Sequence, residues 1–217
     1  MSNRKEFLKQ GSCLLGMSLL PKIDHTLDHI GTAHTFSEKI LPPRLRKGDT
    51  IGLITPAAPV KSETVQAAVQ KLKSAGFKTY YLPSVLSAYG YFAGSDQERA
   101  EELMHMFINP NVHGIMCVRG GYGTSRILDL LDYDLIRKHP KVFIGYSDIT
   151  ALHIAIGQNT GLVTYHGLMG ICDFNDFAVQ SFFDILVNPG KEYVYPYQRE
   201  DGTSDNPEFD LYTITPG

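Results

Sequence analysis

The stretch Ile-Met-Cys-Val-Arg-Gly-Gly-Tyr-Gly at residues 115–123 decides the fold class, because four apolar residues pass directly into a glycine-rich loop. A strand covered by helices on both faces of a sheet is apolar throughout, since both rows of its side chains are buried. Residues 115–118 are therefore predicted to form such a strand. The glycines at 120, 121 and 123 predict a tight loop at its carboxyl end, where the backbone needs conformational freedom.

Strand and helix patterns alternate along the chain on either side of this segment. Apolar strands are predicted at 50–55, 77–82, 142–144 and 162–165. Helices are predicted at 62–75, at 95–108, after the glycine-rich loop and at 149–159, and the second opens with the capping box Ser95-x-x-Glu98. The alternation predicts an α/β fold with an open, mostly parallel sheet and helices on both faces, as in flavodoxin-like and class I glutamine amidotransferase-like three-layer sandwiches.

The glycine-rich loop at 119–123 lies where parallel sheets carry their working residues, at the carboxyl end of a strand. Backbone amides without a neighbouring Cβ can approach an anion or a developing oxyanion closely. The pattern matches neither G-x-G-x-x-G nor the P-loop, so nucleotide binding is not predicted. From the glycines alone, a tight turn that needs positive φ remains the alternative, and Arg119 either binds an anionic group or braces the loop.

A second loop, Gly145-Tyr146-Ser147-Asp148, joins the strand at 142–144 to the helix at 149–159. A serine between a strand and a helix, with a glycine two residues earlier, is typical of a nucleophile elbow, in which a sharp turn exposes the hydroxyl. The backbone amide of the following residue, Asp148, then helps to form an oxyanion hole. The alternative is structural, since serine is a preferred helix N-cap and an aspartate in the first turn complements the helix dipole.

Five motifs follow one another along the chain. They are Ile-Thr-Pro-Ala-Ala-Pro at 54–59, Tyr-Phe-Ala-Gly at 91–94, Arg-Gly-Gly-Tyr-Gly at 119–123, Ile-Gly-Tyr-Ser-Asp-Ile-Thr-Ala-Leu at 144–152 and His-Gly at 166–167. Together they resemble the LD-carboxypeptidase family of serine peptidases, family S66 (muramoyltetrapeptide carboxypeptidases), over residues 46–190. The resemblance implies that Ser147 is the nucleophile and that the amides of Asp148 and Gly121 form the oxyanion hole.

The same resemblance implies a substrate. The expected reaction removes the terminal D-alanine from peptidoglycan tetrapeptides, so a muropeptide is the expected small-molecule partner. The residues expected to bind this substrate are Arg119, Gly120, Tyr122 and His166, with Arg119 as the candidate for the terminal carboxylate.

The general base is not assigned to any residue of this chain. In the family, the triad is completed by a Glu and a His from a second, carboxyl-terminal domain. Of the histidines here, His153 is expected to lie on a helix face, and His166 is expected to brace a loop or contact the substrate. Because a serine hydroxyl without a base is a weak nucleophile, the chain alone is expected to have little or no hydrolytic activity.

Two other functions remain open. One is an immunity-type hydrolase of the same family that cleaves peptidyl-nucleotide antibiotics, and the other is a non-catalytic α/β module that binds muropeptides. No cofactor or metal is expected, because Cys13, Cys117 and Cys172 show neither a C-x-x-C pair nor a histidine at metal-ligand spacing.

The chain divides into four parts. Residues 1–21 are interpreted as an export signal, 22–46 as a linker, 47–196 as the nucleophile-bearing domain, and 197–217 as a linker toward a carboxyl-terminal catalytic domain. The segment Arg-Lys-Glu-Phe-Leu-Lys at 4–9 resembles the twin-arginine signal Arg-Arg-x-Phe-Leu-Lys and precedes a short apolar run. Export to the periplasm is therefore predicted, and an amphipathic first helix in a cytoplasmic protein is the alternative.

Charge is distributed unevenly along the sequence. Residues 1–46 contain seven Lys/Arg and four Asp/Glu, whereas residues 47–217 contain thirteen and nineteen. A mildly acidic domain without a basic cluster argues against a nucleic-acid partner. No stretch approaches the roughly 18 apolar residues of a membrane span. The sequence is compatible with a homodimer.

Overall fold

The computed structural model describes residues 38–190, together with the backbone of two short strands at 193–196 and 211–214. The export signal predicted at 1–21 and the greater part of both predicted linkers lie outside the described residues. Within the described ranges, no helix is both long enough and apolar enough to cross a membrane.

Five parallel strands form the central sheet in the order β2-β1-β3-β4-β5. They are β1 (Thr50–Ile54), β2 (Lys78–Tyr80), β3 (Gly114–Cys117), β4 (Val142–Gly145) and β5 (Tyr165–His166). A two-stranded antiparallel sheet consists of β6 (Tyr193–Pro196) and β7 (Leu211–Ile214). The strand order reverses between β1 and β3, and in such sheets a crevice opens between the loops that follow these two strands.

Helices connect the strands of the central sheet. The α-helices are α1 (Ser62–Ser74), α2 (Asp96–Ile108), α3 (Tyr133–Lys138), α4 (Thr150–Thr160) and α5 (Asp176–Leu186). Short 3₁₀-helices cover Pro83–Leu86, Thr124–Leu130 and Ser147–Ile149. The helix predicted after the glycine-rich loop is thus a 3₁₀-helix.

A hydrophobic core lies on each face of the sheet, which explains why the central strands are apolar throughout. On β3, Ile115 and Cys117 belong to one core, and Met116 belongs to the other. Helices α2, α3 and α4 cover the first face, while α1 and α5 cover the second. The predicted α/β fold, with an open parallel sheet and helices on both faces, is confirmed.

The last strand of the sheet is shorter than the sequence predicts. Of the segment 162–165, only Tyr165 lies in β5, which continues to His166. Leu162 instead forms an isolated parallel bridge with Ile40. The Ile40 N–H donates to the carbonyl of Gly161 at 2.8 Å, and the Ile40 carbonyl accepts from the Val163 N–H at 2.9 Å. The backbone groups at the start of this segment are therefore paired with residue 40.

Residues 38–46, which the sequence predicts to be part of a linker, pack against the domain. Leu45 is only 1% exposed, and its N–H donates to the carbonyl of Leu186 at 2.8 Å. Its Cδ2 lies 3.0 Å from the position that a Cβ would occupy on Gly114. The compact domain therefore begins before residue 47.

The capping box at the start of α2 leads to a stability prediction. Ser95 Oγ accepts a hydrogen bond from the Glu98 N–H at 3.2 Å, and Glu98 Oε2 accepts one from the Ser95 N–H at 2.7 Å. Ser95→Ala removes the first bond and leaves a helix N–H without its partner. We expect the free energy of unfolding, measured by urea denaturation, to fall by about 1 kcal/mol.

Ser62→Ala is the matched control for this prediction. Ser62 is the first residue of α1 and does not cap that helix. Its replacement should change the free energy of unfolding by no more than about 0.5 kcal/mol. Equal losses in the two variants would contradict a capping role for Ser95.

Candidate active site

Ser147 sits in a sharp turn between β4 and the helix that follows. Its φ is +64°, and among the described residues it is the one non-glycine residue with positive φ. A residue with a Cβ pays roughly 1–2 kcal/mol for this left-handed conformation, so the surroundings must hold it there. The residue is exposed, and Tyr146 rather than Ser147 occupies the N-cap of the 3₁₀-helix. The geometry is that of a nucleophile elbow and not that of a serine N-cap.

Gly120 lies directly against this turn. A Cβ on Gly120 would come within 3.1 Å of Ser147 Cβ and 3.2 Å of the Tyr146 carbonyl oxygen. It would also lie 3.4 Å from the backbone nitrogen of Asp148. The structure therefore brings the glycine-rich loop and the elbow together, and the absence of a side chain at Gly120 leaves space beside the Asp148 amide.

The side chain of Asp148 joins the same two loops. Its Oδ2 accepts a hydrogen bond from the Thr124 N–H at 2.9 Å. Thr124 Oγ1 in turn donates to the Asp148 carbonyl oxygen at 2.5 Å, and Thr124 is fully buried. These two bonds fix the end of the glycine-rich loop relative to the elbow. Sequence reasoning missed Thr124, whose only signal is its position directly after the loop.

Gly121 is confined from the other side by the loop that follows β1. Its φ is +132°, and a Cβ there would lie 2.5 Å from the Cβ of Ala58. The Ala58 N–H also donates to the Gly120 carbonyl at 3.4 Å. Both the backbone conformation and the space therefore require glycine at 121. The loops that follow β1 and β3 are therefore in direct contact at Ala58 and Gly121.

The side chains predicted to bind substrate lie on the glycine-rich loop and at the end of β5. Tyr122 is 65% exposed and stacks on Phe92, with 6.0 Å between ring centroids. Arg119 is half-buried, and its Nη1 makes a long hydrogen bond of 3.5 Å to the Pro59 carbonyl. His166 is exposed at the end of β5, with its ring 6.0 Å from that of Tyr146. The structure thus places His166 beside the elbow and Arg119 along the neighbouring loop.

His153 lies on α4 beneath the elbow. Its Nε2 donates to the Gly145 carbonyl at 2.9 Å, and that carbonyl also accepts from the Gly167 N–H at 3.1 Å. Nδ1 is buried without a hydrogen-bond partner among the described residues. Burial lowers the pKa of the imidazole, the hydrogen bond to Gly145 opposes this effect, and His166 adds to it. His153 therefore supports the end of β4 as a neutral side chain.

No imidazole or carboxylate of the described residues is hydrogen-bonded to the Ser147 hydroxyl. The carboxylate nearest in sequence, Asp148, is directed to Thr124 instead. The described residues thus supply an exposed serine in a strained turn, with the backbone nitrogen of Asp148 close to Gly120. The described residues place no proton acceptor within hydrogen-bond distance of the Ser147 hydroxyl.

Two buried charged side chains on α2 were missed by sequence reasoning. Arg99 is 1% exposed, and its Nη1 donates to the carbonyls of Pro56 at 2.6 Å and Gly123 at 3.0 Å. Glu102 is 3% exposed and accepts hydrogen bonds from the Thr55 N–H at 3.0 Å and from Ser84 Oγ at 2.6 Å. Burial raises the pKa of the Glu102 carboxyl. Their signal in the sequence is a charge on the apolar face of a predicted helix.

Comparison with known proteins assigns the chain to a family. The family model described as the LD-carboxypeptidase N-terminal domain matches residues 51–167, which is more than half of the chain. The chain belongs to the LD-carboxypeptidase family. The matched region of this LD-carboxypeptidase domain extends from β1 to the residue after β5, so it includes both loops that meet at Ser147.

Individual relatives of this LD-carboxypeptidase domain have two kinds of name. A Bacillus subtilis protein named "Probable murein peptide carboxypeptidase" is 47% identical over 134 residues, 62% of this chain and 42% of the relative. The microcin C7 self-immunity protein MccF of Escherichia coli is 35% identical over 181 residues, 78% of this chain and 52% of the relative. The chain thus spans about half the length of these relatives.

A solved structure supports the same grouping. The crystal structure of muramoyltetrapeptide carboxypeptidase from Oxalobacter formigenes superposes with a TM-score of 0.63 at 29% sequence identity. The superposition covers 73% of this chain and 53% of that protein. The LD-carboxypeptidase fold predicted from the five motifs is therefore confirmed.

The confinement of Gly121 leads to a second stability prediction. Gly121→Ala places a Cβ against Ala58 in a backbone conformation that L-residues rarely adopt. We expect the free energy of unfolding to fall by about 1–3 kcal/mol, as for other strained backbone positions. Thermal and urea denaturation of the full chain measure the loss.

Gly90→Ala serves as the matched control, because Gly90 also has positive φ, +60°, but open space around its missing Cβ. Its φ falls in the left-handed region that alanine tolerates better, so its loss should be smaller by about 1 kcal/mol or more. Equal losses would show that the contact with Ala58 does not confine the loop.

The lowered pKa of His153 leads to a pH prediction. Because the unfolded imidazole titrates near 6.5, the unfolded chain takes up this proton at a higher pH than the folded chain does. The contribution of His153 to stability is therefore complete above about pH 6.5 and is lost as the pH falls through the lowered value.

His153→Asn tests this dependence. The stability difference between the native sequence and His153→Asn should shrink as the pH is lowered from 7 to 5, in denaturation curves recorded at each pH. NMR titration of the imidazole provides the direct measurement of its pKa. A difference that stays constant over this range would contradict the assignment of a buried neutral imidazole.

Proposed function

We propose that this chain is the nucleophile-bearing part of a serine LD-carboxypeptidase that removes the terminal D-alanine from peptidoglycan tetrapeptides. One observation carries the proposal: Ser147 is held at φ +64° against Gly120, with the Asp148 amide adjacent. An exposed serine in a strained turn, with the Asp148 amide beside a glycine, suits attack on an acyl carbon. Membership in the LD-carboxypeptidase family supports the same chemistry.

In the proposed mechanism, Ser147 Oγ attacks the carbonyl carbon of the amide that joins the terminal D-alanine to the preceding residue of the tetrapeptide. The hydroxyl proton passes to a base as the tetrahedral oxyanion forms. The amides of Asp148 and Gly121 donate to this oxyanion, a contribution of about 3 kcal/mol for each donor in comparable enzymes. Collapse breaks the C–N bond, the amine takes a proton and leaves as D-alanine, and water then hydrolyses the acyl-enzyme.

We propose that the base and its orienting acid lie outside the described residues. Ser147 has no imidazole or carboxylate partner among residues 38–190, and a serine hydroxyl alone is a weak nucleophile at neutral pH. The chain by itself should then hydrolyse tetrapeptide slowly or not at all. Arg119 is proposed to bind the terminal carboxylate, and Gly120, Tyr122 and His166 to contact the peptide.

The proposed place of this reaction is the periplasm. The twin-arginine-like segment at 4–9 supports export, and a cell-wall peptide is available outside the cytoplasm. A cytoplasmic protein acting on recycled muropeptides is the alternative.

A second candidate function is hydrolysis of a peptidyl-nucleotide. The match to the microcin C7 self-immunity protein extends over 78% of this chain, further than the match to the murein peptide relative. The exposed ring of Tyr122, stacked on Phe92, offers a free face of the kind on which a nucleobase stacks. A third candidate function is that of a module that binds muropeptides without catalysing a reaction.

The test is Ser147→Ala in the full protein that contains this chain, assayed for D-alanine release from a muramoyl tetrapeptide. We expect kcat to fall by about 10⁴-fold or more, since the nucleophile is lost. Ser125→Ala is the matched control, because Ser125 is an exposed serine in the adjacent 3₁₀-helix, and it should retain native activity.

Each outcome separates the candidates. Equal release by the native protein and Ser147→Ala would show that Ser147 is not the nucleophile. Cleavage of a peptidyl-nucleotide without cleavage of tetrapeptide would favour the second candidate. Tetrapeptide binding by calorimetry without turnover of either compound would favour a binding module.

A further inference from the structure

Arg99 links the two loops of the crevice through a single nitrogen atom. It lies in the first turn of α2, and its side chain is completely buried. Nη1 donates to the carbonyl of Pro56, in the loop after β1, at 2.6 Å, and to the carbonyl of Gly123, at the end of the glycine-rich loop, at 3.0 Å. Neither loop can move away from the other without breaking one of these bonds.

The convergence of these two carbonyls explains why a cation is present at this buried position. Two carbonyl oxygens that point at one site repel each other unless a donor neutralises them, and a cationic donor does so most strongly. The charge of Arg99 is balanced by a hydrogen bond to Asp96. Asp96 also accepts from Arg126 Nη2 at 2.8 Å, which joins the start of α2 to the 3₁₀-helix after the loop.

The ring of Phe92 completes the enclosure of the loop end. The guanidinium carbons of Arg99 and Arg126 lie 5.1 Å and 5.3 Å from its centroid. Gly123 has φ +111°, and a Cβ there would lie 2.6 Å from the Phe92 ring and 3.4 Å from Arg99 Nη1. Gly123 is thus held between an aromatic ring and a cation, with its carbonyl bound to the latter.

These contacts lead directly to the proposed oxyanion hole. Pro56 is two residues before Ala58, and Gly123 is two residues after Gly121. Arg99 therefore binds both of the loops that contact each other at Ala58 and Gly121. The residue after Gly123 is Thr124, which is hydrogen-bonded to Asp148. A short series of bonds therefore connects the guanidinium to both amides proposed to stabilise the oxyanion.

We propose that Arg99 is a positioning residue for the acyl-transfer reaction. Its hydrogen bonds set the location of the Gly121 amide relative to Ser147 and Asp148. The inference rests on the function proposed above. Arg99 itself is buried beneath the loops and does not touch the substrate. Its effect is on the transition state, where the oxyanion needs donors at fixed positions, more than on ground-state binding of the peptide.

Arg99→Met and Arg99→Lys test this role in the full protein. Methionine preserves much of the apolar stem but donates no hydrogen bond, whereas lysine preserves the charge as a single point donor. We expect Arg99→Met to lower kcat by about 10-fold to 100-fold, the scale for a misplaced catalytic group, with KM within about threefold of native. Arg99→Lys should recover part of the loss.

Hydrogen–deuterium exchange provides a readout that does not depend on activity. In Arg99→Met, the amides of 56–59 and 119–124 should exchange faster than in the native protein, while those of α4 stay unchanged. Arg137→Met is the matched control, because Arg137 also donates to a backbone carbonyl, that of Thr160, at the end of α4. It should leave kcat and the exchange of 119–124 at native values.

The outcomes distinguish failure of this inference from failure of the proposed function. Unchanged exchange at 119–124 in Arg99→Met, or an equal loss of kcat in Arg137→Met, would overturn the role of Arg99. Faster exchange at both loops in a protein whose native form releases no D-alanine would support the anchoring by Arg99 and refute the carboxypeptidase. Should Arg99→Met not fold, Arg99→Lys carries the same comparison, with a smaller change in the same direction expected.

Discussion

The left-handed backbone of Ser147 is the constraint on which the geometry of the site depends. A residue with a Cβ stays in that conformation only if its neighbours leave no alternative. Gly120 fits against the turn because it lacks a Cβ, and Asp148 fastens the turn to Thr124. The loop after β3 and the elbow after β4 consequently behave as one unit, and the parallel pairing of β3 with β4 sets the distance between their starting points.

Much of the fold follows from local patterns in the sequence. Strands β1, β3 and β4 are recognisable because each faces a core on both sides, which makes their positions apolar or glycine apart from Thr50 at the start of β1. The start of α2 is recognisable because a capping box involves residues only three positions apart. The extent of β5 is not recognisable from the sequence, since the partner of Leu162 is Ile40, a residue far away in the sequence. Pairing between distant segments leaves no periodic signal at either one.

The site shows the same division between local and distant information. Ser147, Asp148 and the glycines of 119–123 are found from sequence because they occupy loops at strand ends and match family motifs. The structural roles of Arg99 and Thr124 depend on which loops meet in three dimensions, and each could pass for an ordinary helix residue. A charged side chain on the apolar face of α2 is the one indication in the sequence that this helix also holds loops in place through hydrogen bonds.

The packing of Ile40 and Leu45 against the domain has a consequence for where this protein tolerates cleavage. A form beginning at residue 47 would lose the bridge to Leu162 and expose backbone groups beside the edge strand β5, and unpaired edges promote aggregation. It would also vacate the space that Leu45 fills over Gly114, and a leucine-sized cavity in a core costs roughly 2–5 kcal/mol. Any amino-terminal truncation that preserves the domain must therefore end before Ile40, so the sheet itself limits how much of the chain can be removed on that side.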